Sequence, residues 1–459
     1  MASLAAILSP LGYRSRARRL ALTLCLAAAS CAPQPEPRGL AEGRNVVVIV
    51  IDTLRADHLP FYGYHKPTAP FMSALADESV VFDAAYAAST WTAPSTATLF
   101  TSLYPKDHGV WTGLRTFKSV DELGVEVELN RMPPATRTLP EWMASWGYRT
   151  YGFADNPNID TAMGFTRGFD HFTTWRNQGA TRIHDEVLAL KDELLEGSRP
   201  YFLYLHFMDP HMPYERKDSG YDLESTVAPE RYREDMARYD SEILHVDTQI
   251  ADLFRELGLA RDALVVITSD HGEEFGDHGL GAHGAQLHNE LLRVPLLFHG
   301  ADEAGRSLFE PKRVAEPVCL IDVLPTLRGL LGAPAEATDR GLDLTDRLTG
   351  SAEEARRLLF PERPMELEIL PFEVRAVIDG QLKYYRDTRL DGASLFDMAS
   401  DPSEFRDLSA KQPDEAERLE AALQEHLDQP ALFERSYASR EALDAQLAEQ
   451  LRRLGYVGD

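Results

Sequence analysis

The stretch Asn45–Ile51 reads NVVVIVI, with six branched apolar residues in succession. A strand with one wet face alternates apolar and polar residues. This run has no polar side, so both of its faces must be covered. Strands of that kind belong to parallel sheets with helices packed above and below. The run also singles out one position. Sites in open parallel sheets form just beyond the carboxyl ends of the strands, and the residue after this run is Asp52.

Three further runs look similar: Arg149–Ala154, Tyr201–Phe207 and Ala263–Thr268. Amphipathic spacing predicts helices over Pro70–Asp77, Arg182–Leu195 and Arg231–Leu257. The fold class expected is therefore α/β: a doubly wound, mostly parallel sheet flanked by helices, over residues 44–334. The pattern changes near Ala335. Arg375–Ile378 and Gln381–Tyr385 flank Asp379-Gly380, a two-residue hairpin signal. Ser394–Met398 can add a strand, and Asp414–Asp428 and Arg440–Leu454 read as helices. Residues 335–459 are thus expected to form a small C-terminal α+β subdomain. A chain of 459 residues has room for both parts.

The N-terminus reads as an export signal. Arg14, Arg16, Arg18 and Arg19 precede a short apolar run, Leu20–Ala29, and the small residues Ala28, Ala29 and Ser30 lead to Cys31. That ending resembles a bacterial lipoprotein box. The expectation is a lipoprotein signal peptide over residues 1–30, lipid on Cys31 and a Pro-rich tether over residues 31–43. The mature chain would be exported and held at a membrane surface. The apolar run is too short to span a bilayer. Losing residues 1–30 removes four Arg and no acid, which moves the net charge from −26 to −30. So acidic a chain is not expected to bind nucleic acid, which takes clustered Lys and Arg. With Cys25 lost and Cys31 lipidated, Cys319 has no partner for a disulfide and is expected in the core. Nothing in the sequence specifies an oligomeric state.

Polar residues gather at the predicted strand ends. Asp52 follows the first run; Asp209 and His211 follow the third, in HFMDPHMPY; Asp270 and His271 follow the fourth, in TSDHGEE. Carboxylates and imidazoles converging from three strand ends are what a metal site needs. In STWTAPSTATLFTSLYP, Pro94 suits the first turn of a helix. Thr92 is then expected just before the helix start, where unpaired N–H groups favour a developing anion.

With these residues in place, the chain resembles the sulfatase branch of the alkaline phosphatase superfamily. The resemblance rests on Asp52–Leu59 (DTLRADHL), Thr92–Thr96 (TAPST), Gly164–Phe172 (GFTRGFDHF), Asp209–Tyr214 (DPHMPY) and Ser269–Glu273 (SDHGE). Leu291–Leu296 (LLRVPL), Asp322–Leu327 (DVLPTL), Leu395-Phe396-Asp397 and Asp401-Pro402 extend it in family order over roughly residues 44–409. It implies a metal-dependent ester hydrolase acting on an anionic ester. His211 matches the family's histidine at the transferred group. His283 falls near an anion-binding lysine, and Asn156 near another substrate contact.

The departures define the chemistry expected. Sulfatases carry Cys or Ser in a C-x-P-x-R motif that becomes formylglycine; here Thr92 stands at the Cys position and Thr96 at the Arg position. Threonine cannot become that aldehyde, because its Cβ carries a methyl group. The family's Asp-Asp pair is Asp52-Thr53, and the Asn after the late Asp is His271. Asp52, Thr92, Asp270 and His271 remain as a shell for one divalent metal, which suits Zn²⁺ or Mn²⁺ better than Ca²⁺. That set resembles the shell of the superfamily's threonine-nucleophile members: nucleotide pyrophosphatase/phosphodiesterases, phosphoethanolamine transferases and lipoteichoic acid synthases. In these, threonine attacks phosphorus. A phosphodiester or phosphonate is therefore expected ahead of a sulfate ester. Two alternatives remain: a sulfatase proper, and an inactive surface-binding lipoprotein. A second metal at Asp209, His211 and His283 also stays open. His58, His108, His206, His278 and His288 are read as structural. The loops Asn130–Pro140 and Asp218–Glu230 are expected to set specificity.

Overall fold

A computed structural model of the chain describes residues 39–111, 113, 129–175, 177–215, 223, 226–350, 356–364 and 372–438. The export segment, Cys31, most of the tether, the predicted helix Arg440–Leu454 and much of the 218–230 loop lie outside the described residues. The chain divides into the units Met1–Gly39 and Leu40–Asp459, and the fold belongs to the second.

An eight-stranded sheet forms the centre. Its strands are β1 (Asn45–Ile51), β2 (Val80–Phe82), β3 (Arg149–Ala154), β4 (His171–Thr174), β5 (Tyr201–Phe207), β6 (Ala263–Thr268), β7 (Leu296–Gly300) and β8 (Lys312–Val314). The spatial order is β8-β2-β7-β6-β1-β5-β3-β4. Only β7 runs against the others. The branched run Asn45–Ile51 thus lies in the middle of a mostly parallel sheet. Its residues alternate between two cores: Val46, Val48 and Val50 face one, and Val47, Ile49 and Ile51 the other.

Helices cover both faces. The first core takes α2 (Thr92–Thr101) through Ala93, Ala97 and Phe100, and α6 (Val323–Leu330) through Val323, Leu324 and Leu327. The second takes α1 (Pro70–Ala76), α3 (Ala180–Ala189) and the 25-residue α5 (Arg233–Leu257), whose Ile243, Val246, Ile250 and Leu253 form one stripe. The predicted helix Arg182–Leu195 is in fact two, α3 and α4 (Lys191–Glu196), with Leu190 between them at φ −103°, ψ 11°. No Gly or Pro marks that break. Arg231 lies in a 3₁₀ turn ahead of α5.

Beyond the sheet, β9 (Val374–Asp379), β10 (Leu382–Asp387) and β11 (Ala393–Asp397) form an antiparallel sheet with two short strands beside β9. The helix α7 (Pro413–Asp428) packs on it, with Leu419 and Leu423 against Val377, Tyr384 and Leu395. The hairpin turn is Gly380-Gln381, one residue later than predicted, because Asp379 still pairs with Leu382 and Gly380 takes φ +60°. Cys319 is buried and free, as expected. No helix among the described residues is long and apolar enough to cross a membrane.

Candidate metal and catalytic site

Neighbouring strand ends bring the polar residues together. Asp52 follows β1, Asp209 and His211 follow β5, Asp270 and His271 follow β6, and Asn156 follows β3. The order β6-β1-β5-β3 makes these four ends adjacent. From above them α2 delivers Thr92. The helix starts at Thr92 itself, with Trp91 as N-cap, so Thr92 is the first helical residue and not the one before it. Ser95 Oγ donates to Asp270 O at 2.6 Å, which ties this helix end to the β6 loop.

The strand-to-turn junction is held against strain. Thr53, a β-branched residue, sits at φ +57°, in the left-handed region. Its N–H reaches Asp270 Oδ1 at 3.3 Å, and its carbonyl accepts Tyr239 O–H at 2.7 Å.

At the centre, Thr92 Oγ1 lies 3.4 Å from His271 Nε2 and 3.5 Å from Asp52 Oδ2. His271 Nε2 lies 3.8 Å from Asp52 Oδ1 and 3.6 Å from Asp270 Oδ2. His271 Nδ1 faces Gly272 O at 2.9 Å, so that nitrogen carries the hydrogen and Nε2 keeps a lone pair. Asp52 Oδ1 and Asp270 Oδ2 are buried and accept no hydrogen bond among the described residues. The two bare carboxylate oxygens thus lie 3.8 and 3.6 Å from His271 Nε2, and the Thr92 hydroxyl lies 3.4 Å from the same nitrogen. Left bare, such oxygens are costly. A small divalent cation placed there would satisfy both bare oxygens.

The electrostatics agree. Burial works to raise Asp52, but the hydrogen bond from His206 and the nearby imidazoles hold it well below the usual carboxylate range. Burial and the charge of Asp52 push Asp270 upward. Burial opposes charge on His271, yet Asp270 and Asp52 raise it above its ordinary value. Paired carboxylates whose proton affinities diverge mark a place built for positive charge.

His206, read as structural from sequence, belongs to the site. Asp52, His206 and Asp270 bring ligand atoms within 4.8 Å of one another. Both His206 nitrogens are engaged, however: Nδ1 with Tyr204 O–H at 2.8 Å and Nε2 with Asp52 Oδ2 at 3.2 Å. A nitrogen that donates to a carboxylate has no lone pair to give a cation, so His271 is the better ligand. The signal in sequence was a lone imidazole inside YFLYLHF, on the same strand face as Tyr204.

The remaining expected residues divide. Asn156 Nδ2 donates to Asp52 Oδ2 at 2.5 Å and lies 3.5 Å from Thr92 Oγ1. His211 is buried, which lowers its pKa, and its Nδ1 faces Met212 O at 2.6 Å. The His283 ring stands 4.9 Å from that of His211 and 4.6 Å from that of His271, with Nδ1 at 3.1 Å from Glu273 Oε1. Glu273, to which the sequence assigned no part, is fully buried and pushed up to about 7 by that burial. Asp209 turns elsewhere: its Oδ1 accepts the Ala180 N–H at 3.0 Å, at the start of α3. Among the described residues, Asp209, His211 and His283 do not bring ligand atoms within 4.8 Å of one another as Asp52, His206 and Asp270 do.

A family model described as Sulfatase matches residues 44–333. The low-salt glycan biosynthesis sulfotransferase Agl7 of Haloferax volcanii is 26% identical over 315 residues, 65% of this chain and 64% of that protein. The chain thus spans just under two thirds of this relative. A delta 4,5-hexuronate-2-O-sulfatase of Bacteroides thetaiotaomicron is 23% identical over 428 residues, 81% of this chain and 85% of that protein. The phosphonate monoester hydrolase of Agrobacterium radiobacter shares the fold, with a TM-score of 0.63 at 18% identity, covering 84% of this chain and 95% of that one.

Proposed function

Because this chain belongs to the sulfatase family, whose members are ester hydrolases of the alkaline phosphatase superfamily, we propose that it cleaves an anionic ester with Thr92 as nucleophile. The substrate we favour is a phosphodiester or phosphonate. One observation carries this reading: the Thr92 hydroxyl lies 3.4 Å from His271 Nε2 and 3.5 Å from Asp52 Oδ2, and the sequence resemblance aligns Thr92 with the family's formylglycine. Asp52, Asp270, His271 and Thr92 would hold one divalent cation, which when bound lowers the pKa of a hydroxyl and polarises an ester oxygen. Thr92 Oγ1 attacks phosphorus, its oxygen bonds to it, and the leaving oxygen departs on the opposite side. The Thr92 proton is taken up by His211, at the edge of the cluster beside His283, and returned by it to that oxygen. Water or an acceptor alcohol then attacks the threonine ester, releases the product and restores the hydroxyl. Imidazole and amide side chains at His283 and Asn156 carry less positive charge than ammonium groups. They suit a monoanionic diester better than a dianionic monoester.

The names of the relatives favour a second reading, a sulfate ester as substrate. A sulfated threonine lacks the hemiacetal route by which formylglycine expels sulfate, so phosphorus leads. The intact donor set speaks against an inactive surface protein. The test is a panel of p-nitrophenyl sulfate, phosphate, phosphodiester and phosphonate with Zn²⁺, Mn²⁺ and Ca²⁺. Diesters or phosphonates should turn over fastest with Zn²⁺ or Mn²⁺. A leading rate on the sulfate would select the second reading, and protein that binds no divalent ion would sink both.

We also infer that the chain is exported and anchored through lipid on Cys31. The support is the Arg14–Arg19 cluster, the apolar run and the small residues before that cysteine. Labelling cells with a palmitate analogue should mark the wild type and not Cys31→Ser. Equal labelling of both would refute the anchor.

A further inference from the structure

We infer that Tyr204 and His206 are positioning residues that hold Asp52 for the metal through a buried hydrogen-bond chain. The inference rests on the proposed metal site and extends it to a layer beneath the ligands.

Strand alternation builds the chain. On β5, Phe202 and Tyr204 pack into the first core, whereas Leu203, Leu205 and Phe207 pack into the second. His206 therefore shares the face of Tyr204. On β1, Val50 points to that same first core, and Asp52 follows two residues on. The register pairs Val50 with His206, which sets the imidazole beside the carboxylate. Tyr204, His206 and Asp52 are each wholly buried, so water does not compete.

The direction of each bond follows from the chemistry. Burial holds the Tyr204 phenol far above its ordinary pKa, so it stays an O–H. That hydroxyl lies 2.8 Å from His206 Nδ1, and its proton fixes the tautomer with hydrogen on Nε2. Nε2 then donates to Asp52 Oδ2 at 3.2 Å. Asn156 donates to the same oxygen at 2.5 Å. Oδ2 thus collects the hydrogen bonds, while Oδ1 accepts none among the described residues and is left for the cation. A carboxylate fixed this way cannot rotate its bonded oxygen into the site. This is the pattern in which residues behind a ligand orient it and tune its affinity. Thr96, where the family motif has Arg, lies beside the Tyr204 hydroxyl.

The test uses the purified full chain, made metal-free, with Zn²⁺ as probe in chelator competition. Thermal unfolding of each metal-free variant serves as the fold control. Tyr204→Phe and His206→Phe should bind Zn²⁺ about 10–100-fold more weakly. His206→Gln should recover part of that loss, because its amide can donate to Oδ2. With metal saturating, kcat should fall more than KM changes. The visible spectrum of the Co²⁺-loaded protein should be the same in His206→Gln and wild type. Zn²⁺ affinity within twofold of wild type in folded Tyr204→Phe and His206→Gln would overturn the inference and leave the metal reading standing. So would a Co²⁺ spectrum that shows a nitrogen ligand lost in His206→Gln. Wild-type protein that binds no Zn²⁺ would overturn both.

Discussion

Replacing Lys383 with Met should cost about 3 to 5 kcal/mol, because it strands a buried carboxylate. Lys383 Nζ lies 2.7 Å from Glu404 Oε1, and both side chains are fully buried. The other oxygen, Oε2, accepts the Asn289 N–H at 2.7 Å and faces His288 Nδ1 at 3.4 Å. Through Asn289 and His288, Glu404 links the antiparallel sheet to the segment between β6 and β7. Burial alone would raise Glu404, but Lys383 and His288 hold it at about 2 against an ordinary 4.5. At about 1.4 kcal/mol per pH unit, that displacement is worth about 3 kcal/mol, in line with the cost of stranding the charge. The sign follows from the depressed value. The stabilisation is fully present above pH 4.5 and is lost as pH falls towards 2. In Lys383→Met, burial is the dominant influence left on the carboxylate, so the gap to wild type should be widest near neutrality and narrow as Glu404 protonates. Denaturant unfolding followed by fluorescence at pH 7 and pH 4.5 measures both values. The double variant Lys383→Met/Glu404→Gln should be more stable than Lys383→Met alone at pH 7. A loss below about 1 kcal/mol at pH 7, or a double variant no better than the single, would refute the reasoning.

Two further predictions concern other parts of the chain. A Cβ on Gly272 would lie 1.9 Å from Glu290 O, so Gly272→Ala must shift the backbone whose carbonyl holds His271 Nδ1. A displacement near 1 Å at a reacting group can cost about 100-fold. Steady-state kcat/KM should fall at least that far, and full activity would contradict the packing. His426 stacks on Phe360 at 4.1 Å, and burial pushes it down to about 3 from an ordinary 6.5. Protons then favour the unfolded chain below pH 6.5, and stability is lost as pH falls from there towards 3. His426→Phe should lose about 1.4 kcal/mol less than wild type per pH unit in that window. Parallel stability curves in denaturant titrations would contradict this.

The sequence was most legible where one physical demand dominated. β1, β3, β5 and β6 have the bounds read from their apolar runs, because strands buried on both faces tolerate few polar residues. The rule that strand ends carry the site points to Asp52, Asp270 and His271, which the structure sets at the neighbouring ends of β1 and β6, and the family resemblance adds Asn156. Thr92 lies one step further into the helix than the sequence predicts, because a proline suits the whole first turn and does not fix its first residue: the helix starts two residues before Pro94. His206 was missed for a different reason. A single imidazole within a buried strand looks the same in sequence whether it fills space or binds a carboxylate. Only the register with β1 distinguishes the two. The break at Leu190 left no trace either, because it carries none of the residues that usually end a helix. Asp209 lies in the same DPH motif as His211, yet spacing could not show that it caps α3.

The central claim is that Thr92 becomes covalently modified during turnover. Rapid acid quench with a phosphodiester, followed by mass spectrometry of the peptide that contains Thr92, tests it most directly. The account predicts a phosphoryl adduct on Thr92 that forms within the first turnover and is absent from Thr92→Ala, which should also lose nearly all activity. Thr92→Ala with undiminished turnover, or an adduct on another residue, would contradict it.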